Sequence, residues 1–169
     1  MNYVEISDEF VIKKLNINHI SEIYELCKTN PKYYEYSKED LTREFILKDL
    51  KALPKGKSYD AKYYLGFYKN NDLLAVLDLI EKYPNSKTVF IGFFMVNKKY
   101  QGKKIGSKII KDLINFLVKE DFMKIKLGVI EENIEAIKFW ENIGFIYENK
   151  KIEDEKYNIM IYEMEINTR

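Results

Sequence analysis

The spacing of apolar residues gives this chain two textures. Residues 9–15, EFVIKKL, alternate weakly and predict a first strand. In NHISEIYELCK, Ile20, Ile23, Tyr24 and Cys27 then recur at helical spacing, and the pattern stops at Asn30-Pro31. SKEDLTREFILKDL reads as a second helix with Ser37 as N-cap and Asp40 near its third position. After the loop at 54–58, PKGKS, the texture turns strand-like. AKYYLGFY and LLAVLDLIEKY are joined by KNND, a turn signal. YPNS makes another turn, and TVFIGFFMV follows, apolar almost throughout, which predicts burial on both faces. A helix from about Lys104 to Lys119 carries Ile105, Ile109, Leu113, Phe116 and Leu117 as its buried stripe. MKIKLGVI is a strand, and NIEAIKFWENIG a short helix with Asn133 as N-cap and Gly144 as C-cap. FIYENK and YNIMIYEMEI close the chain as a hairpin.

The predicted order is β-α-α-β-β-β-α-β-α-β-β. A strand, a long helix and a strand form a right-handed crossover, so TVFIGFFMV and MKIKLGVI should be parallel. The meander before them should be antiparallel. The fold class is α/β: one mixed sheet of about seven strands with helices on both faces. No repeat, low-complexity tract or linker divides residues 1–169, so a single domain is expected.

Composition narrows the chemistry. Hydrophobic residues make up 46% and charged residues 33%, with a formal net charge of +1. No surface-wide field recruits nucleic acid, and any basic site must be local. One cysteine and one histidine, Cys27 and His19, leave no disulfide framework and argue against a Cys/His metal cluster. MNYVEISDEF has no apolar signal core, and no apolar run approaches the roughly 20 residues that span a bilayer. A cytoplasmic chain without a membrane partner is the expectation.

The local basic site is YQGKKIGSK, residues 100–108. Lysines at a helix start oppose the helix dipole by about 0.3–1 kcal/mol each. A bound polyanion reverses that sign, because the first N–H groups of a helix lack partners. The reading beside it is a solvated lysine loop. Walker A spacing and the G-x-G-x-x-G fingerprint are both absent.

Gln101-Gly102-Lys103-Lys104-Ile105-Gly106 fits Q/R-x-x-G-x-G/A, with lysine where glycine is usual at Lys104. Asn133, Ala136, Phe139, Trp140, Gly144 and Phe145 fit N-x-x-A-x-x-[FL]-[YW]-x-x-x-GF. With these two motifs on the expected elements, nearly the whole chain resembles the GNAT superfamily of N-acetyltransferases. The resemblance implies acetyl-CoA as co-substrate, no metal, and a central parallel pair that splays apart. It puts the pyrophosphate on the N–H groups of Gln101, Gly102, Lys103, Lys104, Ile105, Gly106 and Ser107. The pantetheine arm would run along Met95 and Val96, near Asn133, Ala136 and Trp140. A small-molecule or peptide amine would attack the thioester directly, and a homodimer is compatible with the family. A non-catalytic acyl-CoA sensor on the same fold is the rival reading.

Proton chemistry is less legible. Many relatives carry a tyrosine where this chain has Trp140, whose indole cannot act as an acid. Asp78, a lone charge inside LLAVLDLIEKY, is the candidate base, because a buried carboxylate must pair or work. Glu81 is a second candidate, but it lies near a turn and reads as solvated. Cys27 reads as core and His19 as a surface or capping residue. The aromatic run at 31–36, PKYYEY, is either core or, by the resemblance, a wall of the acceptor pocket.

Overall fold

The computed structural model of the chain describes residues 1–167. Seven strands form one sheet: β1 (Val11–Lys14), β2 (Lys62–Lys69), β3 (Asp72–Glu81), β4 (Thr88–Val96), β5 (Lys124–Ile130), β6 (Ile146–Glu153) and β7 (Asn158–Glu165). Their spatial order is β1-β2-β3-β4-β5-β7-β6. β4 and β5 run parallel, and every other neighbouring pair is antiparallel. The predicted KNND turn places Asn70 and Asn71 at φ 51° and 66°, the paired left-handed geometry of a tight hairpin.

Five helices cover the sheet: α1 (Ile20–Lys28), α2 (Pro31–Ser37), α3 (Arg43–Lys51), α4 (Ile105–Lys119) and α5 (Ile134–Ile143). Side-chain alternation along the strands divides the core in two. Tyr64, Tyr68, Val76 and Met95 pack with Ile23, Leu26, Cys27, Ile46 and Leu50 of α1 and α3. Leu65, Phe67, Ala75 and Leu77 pack on the opposite face with Ile109, Leu113 and Leu117 of α4 and Trp140 of α5.

The predicted second helix starting at Ser37 is instead two elements. Pro31 opens α2 at a position where its missing N–H costs nothing, and Lys38, at φ 52°, ends it. Ser37 is the buried last residue of α2, not a cap. Thr42 caps α3, its Oγ1 accepting from the N–H of Phe45 at 3.0 Å. The caps expected at Asn133 and Gly144 are present.

β4 departs from full burial on both faces. Val89 and Ile91 are buried, but Phe90 is half-buried and Gly92 is exposed. Phe90 lines a cavity, and at Gly92 the cause is a bulge. Asp78 faces Phe93 while Leu79 faces Ile91, which leaves Gly92 as an extra residue. A Cβ on Gly92 would stand 2.7 Å from Asp78 Oδ2, so the close carboxylate requires glycine there. Only residues 88–91 of β4 pair with 124–127 of β5, whereas β5 continues along β7 to Ile130. The parallel pair therefore opens at the bulge.

Candidate active site

Beyond the bulge, residues 93–96 of β4 have no strand on their β5 side. The chain then turns through a short 3-10 segment, Lys98–Tyr100, into the lysine loop and α4. Gly102 and Lys104 are left-handed, at φ 73° and 63°. This explains why glycine is usual at the position of Lys104: only glycine adopts that conformation without a Cβ penalty. Lys104 is the N-cap of α4 and provides no side-chain cap. Among the described residues, no group accepts from the N–H of Gly102, Lys103, Lys104, Ile105, Gly106 or Ser107. Donors of this kind at the positive end of a fifteen-residue helix are chemically suited to hold an anion.

Gln101 takes a different part from the one expected. Its N–H donates to Lys98 O, and its side-chain amide donates to Val96 O at 2.8 Å and Asn30 Oδ1 at 2.6 Å. It latches the loop to the end of β4 and to α1–α2. Lys108 also turns away, its ammonium held by both oxygens of Asp112 at 2.6 Å. Gly106 sits where an ideal Cβ would lie 3.3 Å from both Phe139 and Val96, so α4, α5 and β4 converge on it. Asn133 Oδ1 accepts from the N–H of Ala136 at 3.1 Å as the α5 cap. Met95 is buried toward α1 and α3, so only its backbone reaches the open edge. Trp140 is buried among Phe94, Phe139 and Phe145.

A cavity of about 610 Å³ lies on the other face of the sheet, over the bulge. Asp78, Gly92 and Phe93 line it with residues of α2, α3, β5, β6 and β7. Asp78 is 8% exposed and pairs with buried Lys62, whose ammonium donates to Oδ2 at 2.8 Å. Its Oδ1 is buried with no hydrogen-bond partner. Burial raises the Asp78 pKa, and Lys62 opposes that shift. Asp49 of α3 also lines the cavity and makes no ion pair or side-chain hydrogen bond among the described residues. Burial, and then the charge of Asp78, push its pKa up to about 6.

The profile of the Acetyltransferase (GNAT) family matches residues 18–145. The chain belongs to the GNAT acetyltransferases. A curated relative, the spermine/spermidine N(1)-acetyltransferase of Bacillus subtilis, is 31% identical over 116 residues, covering 62% of this chain and 76% of that one. N-alpha-acetyltransferase 30 of Dictyostelium discoideum is 28% identical over 145 residues, covering 78% of this chain and 77% of that one. Among solved structures, an acetyl transferase of Salmonella typhimurium that modifies the N-terminal serine of L7/L12 superposes with a TM-score of 0.75 at 13% identity, covering 97% and 99% of the two chains. The PaiA N-acetyltransferase of Thermoplasma acidophilum, solved with coenzyme A, gives 0.65 at 17% identity, covering 92% and 99%. The mixed seven-strand sheet with its opened parallel pair is thus a GNAT sheet.

The remaining expectations divide. In this GNAT chain His19 caps, its Nδ1 accepting from the N–H of Asn16 at 3.0 Å. Cys27 is core, and burial pushes its thiol up to about 11. Glu81 lies 3.7 Å from the N-terminal ammonium of Met1. Of the aromatic run, Tyr33 packs on Phe93 at the cavity wall. Sequence reasoning missed Asp49 and Lys62. Asp49 follows Phe45 and Ile46 by one turn, so a carboxylate at the edge of the buried stripe was its only signal.

Proposed function

We propose that the protein transfers the acetyl group of acetyl-CoA to a primary amine by direct attack in a ternary complex. The observation that supports this most is the opening of the sheet at Gly92. One face of the opening leads along the free edge of β4 to the unpaired N–H groups of the lysine loop, and the other carries the 610 Å³ cavity. In this reading the loop holds the diphosphate, with charge-assisted hydrogen bonds worth about 1.5–3 kcal/mol each. Lys103 and Lys104 add screened attraction, and Gln101 keeps the loop fixed against Val96. The free edge of β4 takes the pantetheine amides as a strand would, and a backbone N–H there polarises the thioester carbonyl.

The cavity positions the amine on the opposite side of the opening. Nitrogen bonds to the carbonyl carbon, the ammonium proton leaves to a carboxylate or water in the cavity, and the C–S bond breaks. The thiolate is a tolerable leaving group, with a thiol pKa of about 8.5, so Trp140 need not supply a proton. Asp78 acts here as a positioning residue: it fixes Lys62 and the bulge that opens the sheet.

The test is release of free thiol from acetyl-CoA with a panel of primary amines. Release that depends on the amine is expected. An acyl-CoA sensor would bind acetyl-CoA and release thiol with none of them, and that result would overturn the reading.

A further inference from the structure

We propose that the acceptor is an amine with one positive charge on an apolar body, and that Asp49 is the carboxylate that holds its ammonium. This rests on the acetyl-transfer reading above and names the substrate class for the same site.

The charges of the cavity decide it. Glu39 is tied to Lys156 at 2.7 Å, and Asp78 is tied to Lys62 at 2.8 Å. Lys126 is taken by Glu148 at 2.8 Å and Glu163 at 3.4 Å. Among the lining carboxylates that leaves Asp49 without a protein partner. The buried Oδ1 of Asp78, also without a donor, is an independent pointer to a donor-rich ligand at the cavity floor. An ammonium has three N–H donors to offer.

Much of the remaining lining is apolar or aromatic. Tyr33 and Phe93 form one wall, Phe45 and Phe90 others, and Ile152 and Ile161 come from the closing hairpin. Lys48 and Lys150 also line the cavity without an ion pair. A second ammonium on the acceptor would meet these lysines, and Asp78, whose Oδ1 is open, already has its charge balanced by Lys62. Like charges at close range are costly, so the cavity discriminates by repulsion as well as by attraction. A polyamine, the acceptor in the name of the Bacillus subtilis relative, is therefore selected against.

Several groups face Asp49. Asp78 on β3 and Glu39 before α3 raise its pKa, while Lys62 on β2 and Lys48 on α3 itself lower it. Its charge is also felt by Tyr33 and Tyr34 on α2, Cys27 on α1, Tyr64 on β2 and Tyr157 before β7. Burial pushes these tyrosine and cysteine pKa values upward, away from the value of about 6 to which Asp49 is raised.

Matched acceptors isolate the second charge. With the full chain at saturating acetyl-CoA, n-hexylamine should exceed 1,6-diaminohexane, and 2-phenylethylamine should exceed spermidine, by at least tenfold in kcat/KM. Asp49→Asn should raise the KM for n-hexylamine at least tenfold and leave the acetyl-CoA dissociation constant unchanged. It should also remove an acid limb of acceptor kcat/KM centred near pH 6. The variant should fold. A raised carboxylate pKa favours the folded state at low pH, and that advantage is lost as pH rises through about 6, so Asn removes a cost at pH 8. Equal or better use of the diamine or of spermidine would overturn the proposal, as would an unchanged KM in Asp49→Asn. If no amine releases thiol, the acetyl-transfer reading fails separately. Calorimetric binding of n-hexylamine then decides: binding lost in Asp49→Asn supports the amine site, and no binding to the parent chain overturns it.

Discussion

The lysine loop and the cavity handle charge in opposite ways. The loop at 101–107 is mostly exposed, local in sequence, and built from backbone donors. Its lysines stand in water, where each contributes little and salt screens it. The cavity is assembled from helices and strands far apart in the chain, and its charges are partly or fully buried. There a carboxylate must be paired, as Asp78 is, or have its pKa shifted, as Asp49 does. An anion site can be made from unpaired N–H groups at modest cost. A cation site under the surface needs a carboxylate whose desolvation the fold must absorb.

The largest effect should come from breaking the buried pair. Asp78→Asn leaves Lys62, 3% exposed, without its counter-charge. A loss of about 3–5 kcal/mol is expected, or roughly 10 °C in Tm for a chain of this size. The double variant Asp78→Leu/Lys62→Met should recover most of it, because replacing both charges by apolar groups removes the desolvation cost. Urea denaturation of the three proteins measures this. A single variant as stable as the parent would mean that Lys62 reaches water, and the contrast with the loop would collapse. If the double variant folds and turns over at the parent rate, Asp78 has no part in the chemistry.

Next comes the loop itself. Gly106→Glu places a side chain against Phe139 and Val96 and a carboxylate among the N–H groups of the helix start. Acetyl-CoA binding should weaken at least tenfold, about 1.4 kcal/mol. Calorimetry on the folded variant, with Tm as control, gives the answer. Unchanged affinity would remove the diphosphate from this loop.

The same contrast explains what the sequence disclosed. Gln101, Gly102, Lys104 and Gly106 lie on one short stretch, and a local motif can be read without knowing what packs nearby. The strands, the parallel crossover and the α5 caps were legible for the same reason: period, turn residues and caps are local. Lys62 and Asp78 are sixteen positions apart and meet only through the β2–β3 register. Asp49 becomes a cavity residue only because α2 breaks at Lys38 and α3 restarts at Thr42. A single helix from Ser37 hides that break, because Asn30-Pro31 in the sequence signals a stop, whereas Pro31 is the first residue of a new helix. The bulge at Gly92 had one local sign, an isolated glycine inside an apolar strand, but nothing in the sequence places Asp78 against it.

The smallest effect separates charge from backbone at Lys103 and Lys104. Both are exposed, and Lys103 lies 5.7 Å over the ring of Tyr100. Changing both to Gln should weaken acetyl-CoA binding a few-fold at low salt and flatten its salt dependence, because screened charges lose their value first. Lys104→Gly probes the other contribution. The residue sits at φ 63°, where a Cβ costs energy and glycine does not, so this variant should gain up to about 1 kcal/mol in stability. It deletes one charge but frees the backbone that carries the donors. If affinity tracks charge, Lys104→Gly and Lys104→Gln fall together. If it tracks the shape of the cradle, Lys104→Gly binds as well as the parent chain while Lys104→Gln does not. Equal affinities in all three at low salt would make these lysines solvated bystanders and leave the helix start as the whole anion site.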